Sequence, residues 1–416
     1  MKTRYGFSSC LLASFWLYTS LLAVNVCRAA EWWLAPALQL GADYNDNNSL
    51  TTFPHSSTHG SRISPSLNFG VQSYIWQVNG SAKFTRQNYS NAGSQGRDSR
   101  SYTLSSQYAT QRTTWRLDGN QSYSSMVINQ AGDPDVGLLQ LEKQRKNSGY
   151  APSWSWAVDE RTRLQLGYQK NTTSYEDGPK YSLFDYDSST VTAGISRQLS
   201  IQTQAFFNLS YSIFDVPANN FESRTTGVQG GLTHSFSETL RTSLSIGAQR
   251  TVSEGIVKNC LLEANFGFGP ICLLFGDVQI SEDKISSLLS ARLEKQFQVT
   301  RLSAGLIRSL NPSGSGTLVQ TDALDLQVSR SFTPFVTGDL SLNFYDIRSS
   351  FGNITDADRR LYEISPSLSW RWTEEWTVGA FFRYSNLKRD DDPRDAIARA
   401  IGLTLSYNGP KISVSR

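Results

Sequence analysis

Residues 369–384 read SWRWTEEWTVGAFFRY, and every second residue is apolar on both sides of the charged centre Thr373-Glu374-Glu375. The apolar positions are Trp370, Trp372, Trp376, Val378, Ala380, Phe382 and Tyr384. A period of two is typical of a β-strand with one apolar and one polar face. The pattern therefore predicts two antiparallel strands joined by a tight turn, and it leaves open which face meets water.

This strand–turn–strand pattern recurs along the chain, with about 40 residues between successive turns, which is compatible with repeated long hairpins. It is found again at 153–169, 194–212, 231–249, 290–307 and 326–344. Longer polar connections lie between these hairpins, at 45–60, 90–99, 125–144, 176–188, 215–222, 252–283, 311–320, 349–358 and 388–396. Short turns at one end and long loops at the other are the layout of outer-membrane barrels.

We therefore predict an all-β fold, a transmembrane antiparallel up-and-down β-barrel of about 18 strands, within the range 16–18. The strands are predicted to start near Trp33, Arg62, Trp76, Arg100, Thr114, Arg145, Thr162, Ser188, Gln204, Ser223, Leu240, Lys284, Thr300, Thr321, Phe335, Arg359, Trp376 and Ala396. A soluble propeller has a similar period but needs four strands in each repeat, whereas each period here holds two long strands.

Aromatic residues gather near the ends of these predicted strands. Those beside the tight turns include Trp154, Trp156, Trp370, Trp372 and Trp376. Those toward the long loops include Tyr44, Tyr89, Tyr123, Tyr175, Tyr345 and Tyr384. Because aromatic rings favour the two membrane interfaces, we predict that the apolar face meets lipid. A soluble sandwich with these rings in its core is the alternative.

The N-terminus indicates export. Residues 1–29 begin with Lys2 and Arg4, continue with an apolar run and end in small residues, as in a cleaved signal peptide. The alternative is a single transmembrane anchor, for which the apolar run is short. We predict that residues 30–416 form one barrel domain in the bacterial outer membrane.

Charge and cysteine content narrow the function classes. Without residues 1–29 the chain holds 36 basic and 36 acidic residues, so no nucleic-acid partner is implied. Cys260 and Cys272 are the two cysteines beyond that segment, and in an exported protein such a pair predicts a disulfide. The ring would contribute about 3 kcal/mol of stability.

Alternation also assigns the polar face that would line the barrel interior. The predicted lumen-lining residues are Lys83, Arg116, Asp118, Arg163, Arg241, Arg292, Glu294, Arg308, Asp325, Asp339, Arg371 and Arg383. Charges of both signs fit a hydrated conduit, or a wall stiffened by pairing among these charges. We also expect the apolar segment within 252–283 to fold into the bore or cap it.

Signals for catalysis or cofactor binding are weak. His55 and His59 lie in a Pro/Ser/Gly-rich loop, which does not present two ligands on one helix face. No G-x-S-x-G nucleophile motif is present. We predict no enzyme activity, no metal and no cofactor.

The start of the predicted barrel, WLAPALQLGADYNDNNSL, contains a Tyr-x-Asp-Asn-like step at Tyr44, Asp46 and Asn47, and the chain ends in ISVSR. With these features the sequence resembles outer-membrane barrel proteins associated with exopolysaccharide synthesis and export clusters, including those of the PEP-CTERM-associated type. Ordinary porins end on an aromatic residue, whereas this chain ends at Arg416. The resemblance implies passage of a polysaccharide chain delivered by a periplasmic polysaccharide-export protein.

Three functions follow as hypotheses. The first is an outer-membrane, porin-like conduit for exopolysaccharide export. The second is a diffusion porin for small-solute uptake, which would carry an inward-folded constriction loop. The third is an outer-membrane enzyme, against which the scarcity of histidine counts.

Overall fold

In the computed structural model the chain forms strands joined by turns and loops, with two short 3₁₀ helices at Gly178–Tyr181 and Pro217–Asn219. The structure describes residues 30–52, 55, 57–90, 97–125, 135, 143–265, 270–350, 358–390 and 392–415. The predicted signal peptide, residues 1–29, lies outside this part of the chain. Within the described ranges no helix is long and apolar enough to cross a membrane.

The strands follow one another around a single sheet. They are β1 Glu31–Asn45, β2 Thr58–Gln72, β3 Trp76–Ser90, β4 Arg97–Ala109, β5 Thr113–Ser125, β6 Gln144–Ala157, β7 Thr162–Tyr175, β8 Tyr186–Gln198, β9 Thr203–Val216, β10 Phe221–Ser237, β11 Leu240–Asn265, β12 Pro270–Gln296, β13 Thr300–Pro312, β14 Leu318–Ser331, β15 Val336–Ser349, β16 Arg359–Arg371, β17 Trp376–Arg389, β18 Asp392–Asn408 and β19 Ile412–Ser415.

The sheet closes on itself. Each strand from β1 to β18 pairs antiparallel with its sequence neighbour, and β1 pairs with β18 from Ala37↔Asn408 to Asn45↔Ala400. The short β19 continues the closing strand beside β1, with Glu31 opposite Ser415. Closure pairs the described strands of the ring on both sides below the extended β11–β12 hairpin, which is the requirement for crossing hydrocarbon. The predicted closed antiparallel barrel of 18 strands is therefore confirmed.

One connection differs from the prediction. The sequence predicts a long loop at 252–283 whose apolar part folds into the bore or caps it, with the next strand starting near Lys284. Instead β11 runs to Asn265 and β12 starts at Pro270, so the two strands continue as a long hairpin. β-Branched and other apolar residues in this segment favour strand pairing over a coil.

Contacts across the ring identify the inner face. Tyr175 at the end of β7 packs in one cluster with Leu318 at the start of β14, seven strands away. Side chains on strands so far apart meet only through the barrel interior. Tyr175 alternates in phase with Arg163 and Gln165, so these residues share the inner face.

The strand register carries this assignment around the barrel, because paired residues lie on the same face. An inner row across β7–β10 consists of Gln165, Gly194, Asn208 and Gln229. The outer row beside it consists of Leu166, Ala193, Leu209 and Val228. The polar residues thus enclose the interior and the apolar residues face outward.

The outer face is strongly exposed and apolar. Ile246 is 70% exposed and Leu403 is 62% exposed, whereas the inner Ser245 is only 5% exposed. Leaving one such side chain in water rather than in hydrocarbon would cost roughly 1.5–3 kcal/mol. A lipid environment removes this cost for the whole belt. The protein is an outer-membrane β-barrel, with the apolar face in the membrane as predicted.

The height of the apolar belt follows from the first outward charge on each strand. On β11 this charge is Arg250, ten residues from the strand start at Leu240. Ten residues of a strand tilted by about 40° rise roughly 25 Å, the thickness of an outer-membrane hydrocarbon layer. Outward positions beyond this height lie above the acyl chains, where charged side chains are hydrated.

Candidate functional site

The strand register places nearly all the predicted lumen residues at inner positions. These are Lys83, Arg116, Asp118, Arg163, Arg241, Arg292, Glu294, Asp325, Asp339, Arg371 and Arg383. The wall between them consists mainly of Ser, Thr, Asn, Gln and Gly, since these types dominate the inner positions of the strands. Such a wall binds water along its whole length.

Arg308 is the exception. It pairs with Leu289 across the β12–β13 ladder and alternates in phase with Leu306, so it faces outward. There its guanidinium donates hydrogen bonds of 2.6 and 2.7 Å to the two carboxylate oxygens of Asp322. Arg308 lies eight residues from the strand start at Thr300, near the upper limit of the apolar belt. A charge is tolerated there, which alternation alone does not reveal.

Several interior charges are paired. Arg116 contacts Asp118 at 2.6 Å and Arg292 contacts Glu294 at 3.0 Å, each pair two residues apart on one strand. Arg383 lies 3.9 Å from Glu363 on the neighbouring strand. The first two pairs are exposed, and such pairs contribute little stability, typically about 0–1 kcal/mol, whereas Glu363 of the third pair is buried. The wall is therefore hydrated and locally neutralised, which combines the two interpretations drawn from the sequence.

A buried carboxylate organises the mouth of the barrel on the long-loop side. Asp135 is 3% exposed, and its Oδ1 accepts hydrogen bonds from Ser313 Oγ at 2.9 Å and from Gly314 N–H at 2.8 Å. Its Oδ2 accepts a hydrogen bond from Tyr175 Oη at 2.5 Å and contacts Arg145 Nη1 at 3.1 Å. One residue of the β5–β6 connection thus links β6 and β7 to the turn between β13 and β14.

The buried environment around Asp135 changes the pKa of the Tyr175 phenol. Burial, followed by the nearby charge of Asp135, raises the pKa of Tyr175 well above its ordinary value. The hydroxyl is therefore a hydrogen-bond donor to Asp135 throughout the physiological pH range.

An apolar cluster packs beneath these hydrogen bonds. It consists of Tyr175, Leu183, Tyr186, Phe214, Val216, Phe221 and Leu318, which we call the mouth cluster. Leu183 comes from the β7–β8 connection, and the next residue, Phe184, donates its N–H to Gly314 O at 2.9 Å. The β7–β8 connection and the β13–β14 turn therefore meet above the interior.

A second connection folds inward on the other side of the mouth. Leu50, between β1 and β2, is 1% exposed and packs against Leu361, Leu387 and alanines at the inner face of β18. The Nδ2 group of Asn47 donates to Ile397 O at 2.9 Å and to Thr51 O at 2.8 Å. Leu50 adopts a positive φ of 49°, in the left-handed region, at the point where this loop turns inward.

Alternation and composition assign these residues no role at the mouth. They favour 252–283 instead as the segment that folds into the bore or caps it. A usable signal was present. Leu50, Leu183 and Phe184 are apolar residues in connections that are mostly polar, and a solvated loop gives such residues no partner.

The predicted interface tryptophans lie where a membrane interface requires them. Trp154, Trp156, Trp370, Trp372 and Trp376 all alternate in phase with the outer row and sit beside the short turns. The tyrosines toward the long loops divide between the two faces. Tyr89, Tyr175 and Tyr345 face inward, and Tyr175 and Tyr345 contribute to the mouth rather than to the lipid interface.

The predicted disulfide stays a prediction, because the side chains of Cys260 and Cys272 lie outside the described ones. The backbone register places Cys260 opposite Phe275 and Cys272 opposite Glu263. Among the described residues no group of three or more His, Cys, Asp or Glu side chains is arranged to hold a metal ion.

Comparison with known proteins gives fold-level similarity only. No protein family matches the sequence, and no curated protein matches it. Among solved structures, OccAB4 of Acinetobacter baumannii is 9% identical with a TM-score of 0.45, covering 93% of this chain and 100% of that chain.

Two further solved structures show the same range of similarity. OccK2 (OpdF) of Pseudomonas aeruginosa is 10% identical with a TM-score of 0.45, covering 90% of this chain and 98% of that chain. The alcaligin outer-membrane receptor FauA of Bordetella pertussis is 9% identical with a TM-score of 0.42, and the match covers 90% of this chain and 75% of that chain. With these TM-scores below 0.5, the barrel assignment stands on the closed strand topology itself.

Proposed function

We propose that the protein is a diffusion channel that admits small hydrophilic solutes through the outer membrane. Eighteen strands spaced about 4.8 Å apart and tilted about 40° enclose a backbone cylinder roughly 36 Å across, wide enough for an aqueous bore. The inner wall is polar along its length. In this proposal the protein performs no chemistry of its own and needs no cofactor.

The observation that carries the proposal is the bridge across the mouth at Asp135. Loops meet over the interior there, with a buried ion pair and the mouth cluster beneath them, and so narrow the passage. A finished polymer would need a wide and continuous exit. The inward loops therefore favour the porin hypothesis over polysaccharide export.

Reconstitution tests this proposal. The purified protein is inserted into planar bilayers and liposomes, and conductance and swelling are measured with neutral solutes of increasing size. We expect stable ion conductance, rapid permeation of pentoses and exclusion of hexasaccharides. Absence of conductance and of swelling with every solute would refute the channel.

Exopolysaccharide export is a second candidate, supported by the hydroxyl- and amide-rich wall, which suits sliding contacts with sugars. It requires the mouth loops to undock and a periplasmic export protein to deliver the chain. Deleting the coding region and assaying surface polysaccharide beside small-solute uptake separates the two. Lost polysaccharide with normal uptake would favour export, and the reverse result would favour the porin.

A further inference from the structure

The interior charges are unevenly distributed around the barrel. Every inner position of β8, β9 and β10 is uncharged. The flanking strands each carry one inner charge next to a short turn. It is Arg163 on β7 and Arg241 on the part of β11 from Leu240 to Ser253. By contrast, the inner face of β12–β17 carries charges of both signs, including Arg292, Asp325 and Arg371.

From this asymmetry we propose that the inner face of β7–β11 is a binding track for uncharged, polyhydroxylated solutes such as mono- and oligosaccharides. The inference rests on the proposed channel function and names the solute class that the channel favours.

The track is built from hydroxyl and amide groups that are held in place by one another. Thr190 and Ser212 hydroxyls are 2.9 Å apart across β8 and β9, and Thr225 and Thr251 hydroxyls are 2.9 Å apart across β10 and β11. The amide of Gln229 donates to Ser245 Oγ at 2.9 Å. These cross-strand bonds fix the side chains without using up their capacity.

Each hydroxyl has one donor and two acceptor sites, and each side-chain amide has two of each. After one cross-strand bond, the half-buried groups Thr190, Ser212, Thr225 and Gln229 retain sites that face the lumen. Their partners Ser245 and Thr251 are buried, 5% and 1% exposed, and hold them in place. Sugar hydroxyls are both donors and acceptors, so they can replace wall-bound water one bond at a time. Beyond Arg163 and Arg241 at the short-turn end, a charged solute gains no opposite charge on this wall for the hydration it loses.

An aromatic ring adds an apolar surface to the track. Phe206 lies on the inner face of β9 and covers Gly231 of β10, since a Cβ at Gly231 would fall 2.5 Å from its Cζ atom. The ring therefore lies across the neighbouring strand, and it is only partly buried. The C–H face of a pyranose ring packs against such an aromatic surface, while its hydroxyls reach the polar groups beside it.

The experiment measures block of ion current by sugars in single channels of the full-length protein. Maltotriose is the neutral probe, and trigalacturonate is a charged probe with the same number of rings. We expect maltotriose to block the wild-type current at lower concentrations than trigalacturonate.

The test variant is Thr225→Val with Gln229→Met, which keeps side-chain volume and removes two polar groups from the track. The matched control, Thr337→Val with Gln327→Met, makes the same changes at half-buried and exposed inner positions of β15 and β14, beside the charges Asp325 and Asp339. Loss of two hydrogen bonds to sugar should raise the half-blocking maltotriose concentration by about tenfold in the test variant. The control should leave it within about twofold of wild type.

The outcomes separate the two proposals. A protein that conducts no ions at all refutes the channel itself. A conducting channel that trigalacturonate blocks as well as maltotriose does, or in which the test and control variants shift maltotriose block equally, refutes the track and leaves the channel standing.

Discussion

The bridge at Asp135 makes a quantitative prediction about gating. Replacing Asp135 by Asn removes the negative charge that faces Arg145, whose side chain is 9% exposed. The amide can still accept from Ser313 and Gly314, but its NH₂ group cannot accept a hydrogen bond from Arg145 or Tyr175. Removing one partner of a buried pair costs about 3–5 kcal/mol.

This cost applies to docking of the mouth loops rather than to the barrel, because the strand pairing is untouched. A change of 3–5 kcal/mol shifts the docking equilibrium by roughly 150- to 5,000-fold. We expect single channels of Asp135→Asn to show higher conductance and more frequent transitions than wild type, and to admit larger solutes in liposome swelling.

Asp177→Asn is the matched control. Asp177 pairs with Lys143 at 2.9 Å, but its side chain is 61% exposed, and such pairs contribute about 0–1 kcal/mol. The control channel should therefore behave as wild type. If Asp135→Asn also keeps wild-type conductance and size cut-off while it folds normally, the contacts at Asp135 do not close the mouth and our reasoning is wrong.

Three further predictions concern other parts of the molecule. Leu50→Ala removes a fully buried loop anchor, at a cost of about 2–5 kcal/mol in loop docking, and single-channel recordings should show increased open-state noise. Ile246→Arg places a charge on the lipid face near mid-membrane and should destabilise the barrel by about 2–4 kcal/mol in urea unfolding from liposomes, whereas Thr192→Arg at an exposed inner position of β8 should cost much less; equal costs would contradict the face assignment. Thiol labelling of the denatured protein with and without reductant tests the Cys260–Cys272 disulfide, and two reactive thiols without reductant would exclude it.

Much of the barrel could be read from the sequence because its information is local. Alternation with a period of two fixes which residues share a face, and the turn-rich segments fix where strands end. Strand starts at Trp76, Thr162 and Leu240 are the same in the prediction and the structure. The closed ring then follows, since eighteen amphipathic strands with a lipid-facing side cannot leave an edge open.

The strand register places the predicted lumen residues other than Arg308 at inner positions, in line with the local alternation, and the exception at Arg308 is informative. Position along the strand, not only phase, decides whether an outward charge is tolerated. The alternation pattern gives the face on which a residue lies, but it does not give the height of Arg308 above the short turns. The partner Asp322 lies opposite it only because β13 and β14 adopt this register.

The sequence by itself determined the strands, their two faces and the outer-membrane setting, because each depends on neighbours two residues apart. The closure of the mouth was decided only in three dimensions. Asp135 and Ser313 are 178 residues apart, and Asn47 and Ile397 are 350 apart. Such contacts arise from irregular loops without periodicity, and the closed ring is what brings their ends within reach of each other.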